Sequence, residues 1–370
     1  MSNFAQRRDS LRRLLAEKLV AALLVTDELN VTYLTGFTGD SSYLVIEGDR
    51  ELLITDGRYT QQLVEECPGL ELAVREPGSK LPDFAADVLS KLSPPSIGIE
   101  ADNMTVSFHE KLHEALKASR LAHTSGLVES LREIKDEGEV AEIREAIEIA
   151  QRAFELLRGS LRRGQTEKEV ADNLEYQIRL CGGTCGAFPS IVGVGPRAAL
   201  PHGRPTRDTR IGDFDFVLVD WGARGAAYGG YHSDLTRVLV TGKLSPQLQN
   251  VYGVVLRAQR AAIAAIRPGA IMKDVDAAAR TVIEDAGFGK EFNHSLGHGI
   301  GLAVHELPRL AANQNRPLAA GMVVTVEPGV YLPGWGGVRI EDDLLVTPER
   351  CEVLTSVPKE LDECIVSDSK

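Results

Sequence analysis

The chain has 370 residues, enough for two or three domains and a large buried core. Its composition, 43% hydrophobic and 25% charged, is that of a folded globular protein and not of a disordered or fibrous one. A formal net charge of -12 argues against nucleic acid or an anionic membrane surface as a partner, because both require a basic footprint.

In chain order, Arg7-Arg8 and Arg12-Arg13 precede the apolar run of residues 19–25, an arrangement that resembles a secretory signal. The run is short, and Thr26-Asp27-Glu28 follows without a small-residue cleavage site, so an amphipathic first helix leading into a buried strand is the expectation. No other segment approaches the roughly 18 apolar residues of a membrane span. Residues 43–47 and 51–55 flank Gly48-Asp49 as a β-hairpin, residues 97–100 read as a strand and residues 107–116 as a helix. The charged stretch 132–139 then breaks the apolar pattern, which sets a domain boundary: residues 1–131 form a small α/β unit and residues 132–370 a second domain. Cys67, Cys181, Cys185, Cys351 and Cys364 are few and odd in number, which fits reduced thiols in the cytoplasm better than disulfides.

Past the boundary, Val140, Ile143, Ile147, Ala150, Phe154 and Leu157 recur at steps of three and four and predict a helix over 137–160. Thr166 and Glu169 form a capping box for a second helix that stops at Gly182-Gly183. The pattern then repeats: Ser245-Pro246 opens a helix to about residue 266, and another runs from about Lys273 to Gly287. Gly164, Lys168, Val170 and Gly182 share a register with Gly269, Lys273, Val275 and Gly287, which points to an internal duplication.

The duplication carries acids. Residues 216–220 end at Asp220 and are followed, after a glycine-rich loop, by Asp234. Residues 323–327 end at Glu327 and are followed, after a second glycine-rich loop, by Glu341. Each half therefore presents two carboxylates across a hairpin. A free carboxylate in so apolar a strand costs several kcal/mol to desolvate unless it is exposed at the strand end, paired with Arg237 or Arg339, or neutralised by a cation.

Between the second helix pair and Glu327 lies His294-Ser-Leu-Gly-His298-Gly-Ile-Gly-Leu-Ala-Val-His305-Glu306. A helix here would place histidines four apart as in helical zinc sites, but Gly297, Gly299 and Gly301 would each cost it about 1 kcal/mol. Alternating glycines suit a strand or loop approached closely by another backbone or a ligand. Four carboxylates and an imidazole match two divalent cations, and the oxygen-rich donor set suits manganese, with cobalt or zinc as alternatives.

These motifs carry a resemblance. Asp220 in Val-Asp-Trp-Gly-Ala, Asp234 in Ser-Asp-Leu-Thr-Arg, His298 in Gly-His-Gly-Ile-Gly, Glu327 in Val-Glu-Pro-Gly and Glu341 in Arg-Ile-Glu-Asp resemble the five metal ligands of the pita-bread metallopeptidases. Asn30-Val-Thr-Tyr-Leu-Thr-Gly-Phe-Thr-Gly and Thr55-Asp-Gly-Arg-Tyr are similar to the creatinase-like N-terminal domain of the proline-directed branch, the Xaa-Pro aminopeptidases and prolidases. The implied fold is α+β, a creatinase-like α/β domain over 1–131 followed by a pita-bread catalytic domain over 132–370 with a pseudo-twofold repeat.

The resemblance implies that Asp220 and Asp234 bind one metal, and His298 and Glu327 the other, with Asp234 and Glu341 shared. Hydrolysis would proceed by a hydroxide between the metals, with Glu327 taking its proton. His305 would stabilise the tetrahedral intermediate, and His202, in Leu-Pro-His-Gly-Arg, would contact substrate or protonate the leaving nitrogen. His294 is either support for a ligand or substrate, or a satisfied loop residue. Arg339 would hold a ligand oxygen or a substrate carboxylate.

One departure is visible: the loop from Asp220 to Asp234 is about three residues longer than is usual in that family. The leading expectation is an Xaa-Pro aminopeptidase acting on peptides with proline in second position, as a homodimer. The alternatives are a prolidase, which needs a cation for the dipeptide carboxylate, and a pseudo-enzyme binding module, which should have lost ligands.

Overall fold

The computed structural model describes residues 3–227 and 229–366, so Tyr228 of the glycine-rich loop after Asp220 lies outside the described residues. The chain divides into two compact units, Met1–Arg132 and Glu133–Lys370.

In the first unit the arginine-rich segment forms α1 (Phe4–Glu17), and the apolar run after it becomes β1 (Ala22–Val25), buried at every residue. Asp27 caps α2 (Glu28–Thr35) by accepting from the Asn30 N–H, and the expected hairpin is β2 (Tyr43–Glu47) and β3 (Arg50–Asp56). Then follow α3 (Thr60–Glu66), β4 (Glu71–Arg75), α4 (Leu81–Leu92), β5 (Ser96–Glu100), α5 (Val106–Ala115), β6 (Arg120–Thr124) and α6 (Leu127–Arg132). The six strands make one sheet in the order β4-β3-β2-β1-β5-β6, with β1, β5 and β6 parallel. Ala85 and Leu89 of α4 and Phe108 and Leu112 of α5 pack against Leu24, Val45 and Ile97 of the sheet. Adjacent residues of β1, which point to opposite faces, are all buried, so both faces are covered, as parallel pairing requires.

The second unit opens with α7 (Glu137–Ser160). The Asp136 carboxylate accepts from the Glu139 N–H and the Glu139 carboxylate from the Asp136 N–H, both at 2.9 Å. Val140, predicted in the apolar stripe, is only half-buried, and Glu139 is buried in its place. The capping box draws Glu139 inward, where Tyr231 donates its hydroxyl to it at 2.8 Å. Thr166 and Glu169 form the second box, at the start of α8 (Glu167–Leu180). Thr166→Ala is expected to lower stability by about 1 kcal/mol, read as a reduced urea midpoint at unchanged slope.

The remaining elements are β7 (Cys185–Gly186), β8 (Ile191–Val194), β9 (Phe216–Trp221), β10 (Ala223–Arg224), β11 (Leu235–Val240), α9 (Pro246–Ala265), α10 (Met272–Asp285), β12 (Gly297–Gly299), β13 (Glu306–Leu310), β14 (Val323–Val326), β15 (Gly329–Leu332), β16 (Gly336–Arg339), β17 (Asp342–Val346) and β18 (Cys351–Val353). One sheet has the order β11-β9-β8 and another β13-β12-β14-β17-β18. Helices α7 and α8 cover the first through Phe154, Val170 and Leu174, and α9 and α10 cover the second through Val255, Val275 and Ile283.

The repeat extends to backbone detail. Gly164 and Gly269 both have positive φ, and their N–H groups donate to Ile211 and Leu318; Lys168 and Lys273 donate likewise to Thr206 and Gln314. Strand β9 lies between β8 and β11, all antiparallel, just as β14 lies between β12 and β17. The connection from Glu327 to Glu341, read in sequence as a plain glycine-rich loop, forms its own antiparallel ribbon of β15 and β16. Antiparallel bridging of Thr236 and Glu341 joins the two halves.

Candidate metal centre

Asp220 is the penultimate residue of β9, where every side chain is buried, and Asp234 immediately precedes β11, whose residue Thr236 pairs with Asp220 across the hairpin. Glu327 directly follows β14, and Glu341 lies between β16 and β17. His298 is the middle residue of β12, threaded between β13 and β14. Its flanking glycines are explained by that packing: a Cβ at Gly297 would collide with the Thr325 carbonyl, and one at Gly299 with the Leu307 carbonyl. All five residues line one cavity of about 480 Å³, together with His202, His294, His305, Arg204, Arg309 and Arg339.

The donor atoms of these residues face one another. His298 Nδ1 lies 3.1 Å from the Gly299 carbonyl, which only accepts, so Nδ1 carries the hydrogen and Nε2 keeps its lone pair. That lone pair faces Glu327 Oε1 at 3.4 Å and Asp234 Oδ2 at 3.7 Å. Ligand atoms of Asp234, His298 and Glu341 all lie within 4.8 Å of one another. Burial, and next the His305 ring, push His298 down to about 3, so its imidazole is neutral.

The acids are held far above the usual carboxylate range. For Asp234 and Glu341 burial acts first, then the repulsion of neighbouring acids. Burial pushes Glu327 up to about 8. Asp220 is raised by burial, against the pull of Arg339, which donates to its Oδ2; its buried Oδ1 has no hydrogen-bond partner. Converging lone pairs, mutually repelling acids and an orphaned oxygen fit a divalent-cation centre, in which cations would replace the protons these groups otherwise retain.

Arg339, one of two candidate partners for these acids, is spent within the protein. Nε donates to Thr236 Oγ1 at 3.0 Å, Nη1 to the Tyr331 hydroxyl at 2.7 Å, and Nη2 to Asp220. Tyr331 in turn donates to His294 Nε2 at 3.0 Å, and His294 Nδ1 donates to the Ser295 carbonyl at 2.8 Å. Both nitrogens of His294 are therefore engaged by protein atoms. Arg237 turns away from the cavity: it donates to the Glu341 and Val357 carbonyls and to Asp342, which holds β11 to β17 and the C-terminal segment. His202 and His305 are exposed at the cavity, with the His305 ring centroid 4.3 Å from that of His298.

Sequence reasoning missed Tyr331, Thr236, Thr325 and Asp343. Thr325 donates to Glu327 Oε1 at 3.4 Å and accepts from the His298 N–H at 3.1 Å; Thr236 donates to Glu341 Oε2 at 2.7 Å. Asp343 is fully buried and accepts from the Asp234 N–H at 3.1 Å. Thr236 and Thr325 sit two residues from a predicted ligand, on the same strand face, which is the one signal that could have marked them. Tyr331 is brought in by the β15–β16 ribbon and had no such signal.

Comparison with known proteins places the geometry in a family. Residues 141–348 match the model of metallopeptidase family M24, and residues 7–134 match the Creatinase/Prolidase N-terminal domain. The chain is 34% identical to the Xaa-Pro dipeptidase of Pyrococcus furiosus, with 96% of this chain and 99% of that one aligned. Among solved structures, the Xaa-Pro dipeptidase from Bacillus anthracis superposes with a TM-score of 0.91 at 40% identity, covering 97% of this chain and 99% of the other. The X-Pro aminopeptidase from Thermotoga maritima superposes with a TM-score of 0.84 at 36% identity, covering 93% and 98%. Among the described residues, no helix is long and apolar enough to cross a membrane. The chain belongs to metallopeptidase family M24 and carries the Creatinase/Prolidase N-terminal domain ahead of its catalytic unit.

Proposed function

We propose that the protein is a two-metal exopeptidase that hydrolyses the bond before proline, and that its preferred substrates are Xaa-Pro dipeptides. The observation that carries the metal chemistry is the convergence of Asp220, Asp234, His298, Glu327 and Glu341 on one cavity. Held by these five residues, two divalent ions, manganese by the oxygen-rich donor set, would acidify a water and polarise the scissile carbonyl.

The chain's own groups do the rest. Glu327, whose Oε1 faces His298 Nε2 in the cavity, is placed to take the proton of that water. His305, exposed beside His298, donates an N–H to the carbonyl oxygen as it gains charge. The nitrogen of an Xaa-Pro bond bears no hydrogen and must be protonated to leave; His202, free at the cavity wall, supplies that proton. Arg339, Tyr331 and His294 act as positioning residues that orient Asp220.

The preference between the two proline-directed activities reverses from the expectation read in sequence. A dipeptidase needs a cation for the substrate carboxylate. Arg309 and Arg204 line the same cavity, while Arg339 is committed to Asp220. Relatives named as Xaa-Pro dipeptidases also align over nearly the whole chain. The binding-module alternative loses ground because all five donors converge on one cavity.

The test is hydrolysis of Ala-Pro against Ala-Pro-Xaa with manganese present. Cleavage confined to the dipeptide supports the reading, cleavage of the tripeptide before proline favours the aminopeptidase, and inactivity on both with metal bound rejects both. Arg309→Ala is expected to raise KM for Ala-Pro about 10- to 100-fold, the loss of a hydrogen bond to a charged group, with a smaller change in kcat. An unchanged KM would remove Arg309 from substrate binding.

A further inference from the structure

Glu167 opens α8, is not among the residues that line the catalytic cavity, and has no exposed side-chain surface. A glutamate is rarely so buried unless its charge is paired. Here Oε1 accepts from the Val194 N–H at 2.9 Å, and Oε2 accepts from Arg197 Nε at 2.7 Å and from the Thr206 N–H and hydroxyl at 3.0 and 3.1 Å. Arg197 reaches on to the Arg204 carbonyl, to which its Nη2 donates at 2.5 Å. All of these partners sit on residues 194–206, the segment that carries His202 and Arg204 to the cavity wall. The same segment meets the scaffold of the metal centre: the Pro201 carbonyl accepts at 3.4 Å from Arg339 Nη2, the nitrogen that also holds Asp220.

The internal repeat shows that the fold does not require this carboxylate. Glu167 shares its register with Met272, the first residue of α10. The N–H groups of Glu167 and Lys168 donate to Thr209 and Thr206, and those of Met272 and Lys273 donate to Arg316 and Gln314, so the two backbones are placed alike. The bridges of Thr166 to Arg210 and of Ile271 to Pro317 repeat as well. Met272, however, is buried in the apolar core of its half. Because a buried ion pair is seldom more stabilising than an apolar residue of similar volume, the glutamate of the first half answers to a task that the second half lacks. We propose that Glu167 is a positioning residue for the peptidase reaction: its carboxylate clamps both ends of segment 194–206, so that His202 and Arg204 stand at fixed places against the substrate. This rests on the reading of His202 as the proton donor to the leaving nitrogen and of Arg204 as a cation for the substrate carboxylate.

The experiment compares full-length wild type with Glu167→Met, which copies the other half of the repeat, and with the nearly isosteric Glu167→Gln, whose amide nitrogen cannot accept. In the manganese-loaded proteins, at equal metal content, amide hydrogen exchange should be about ten-fold faster or more across residues 194–206 in both variants and unchanged in α7 and α10. Hydrolysis of Ala-Pro should lose about 10- to 100-fold in kcat/KM, the scale of a displaced substrate-binding group. In a background of His202→Ala with Arg204→Ala, the same substitutions at Glu167 should cost less than about 3-fold, whereas a general loosening of the fold would cost equally in both backgrounds. Unchanged exchange, unchanged kcat/KM, or an equal loss in both backgrounds would each overturn the proposal. Should wild type cleave Ala-Pro-Xaa instead, the kinetic comparison runs on that substrate. Should it cleave neither, the assigned activity has failed, while the exchange pattern still decides whether Glu167 holds the segment.

Discussion

Glu327→Gln is expected to lower kcat by about 10²- to 10⁴-fold, the range for loss of a positioned general base. The amide is nearly isosteric, so the cavity keeps its shape, and the N–H of Glu327 still donates to the Leu296 carbonyl. What disappears is a carboxylate oxygen facing the His298 lone pair, a group able to take a proton and to hold a cation. Metal content measured beside the kinetics separates the two losses: a variant with full metal and collapsed turnover supports the base role, whereas full turnover would reject it. The KM for Ala-Pro should move little, because Arg309 and not Glu327 is assigned to the substrate carboxylate.

Stripping metal should reverse the ordinary dependence of stability on pH. The folded protein holds Asp220, Asp234, Glu327 and Glu341 at proton affinities above those of the unfolded chain, so it binds more protons than the unfolded chain does. Stability from such groups is present at low pH and is lost as pH rises through the folded value, about 8 for Glu327. His294 and His298 act in the opposite sense, being lowered to about 4 and about 3, but their contribution is complete once pH passes the ordinary 6.5. Between 6.5 and about 8 the raised carboxylates act in the destabilising sense, and chelator-treated protein should melt progressively lower over that interval, with about 2 kcal/mol from Glu327. Manganese should restore the melting temperature most at the alkaline end and release protons as it binds. A chelated protein whose melting point is flat or rises over that interval would contradict the assignment of the cavity as a cation site.

Much of this was legible in the chain. Local rules sufficed for the hairpin of β2 and β3, for the capping box at Thr166, and for the helix pairs, because each depends on residues a few positions apart. The duplicated acids were legible because strand ends and spacing repeat. The partnerships that tune them were not. Arg339 reaching Asp220, Tyr331 linking Arg339 to His294, and Asp343 under Asp234 join residues brought together only by the second sheet and its ribbon. Asp342 and Asp343 follow Glu341 and are both buried, and nothing in their order tells that Asp343 is the one that contacts Asp234.

The duplicated halves differ at one telling position. Val217 lies three residues before Asp220 and Val324 three before Glu327; their sheet partners are Val194 and Gly299. One residue earlier in each partner strand, the second half has His298 and the first has Gly193, where a side chain would strike the backbone of Ala198. The first half thus contributes oxygen donors alone, and the nitrogen donor comes from the second. Two ions lodged in such a centre would be distinguishable species, one in a harder and one in a softer environment. Ions held by such unequal donor sets would bind with unequal affinity.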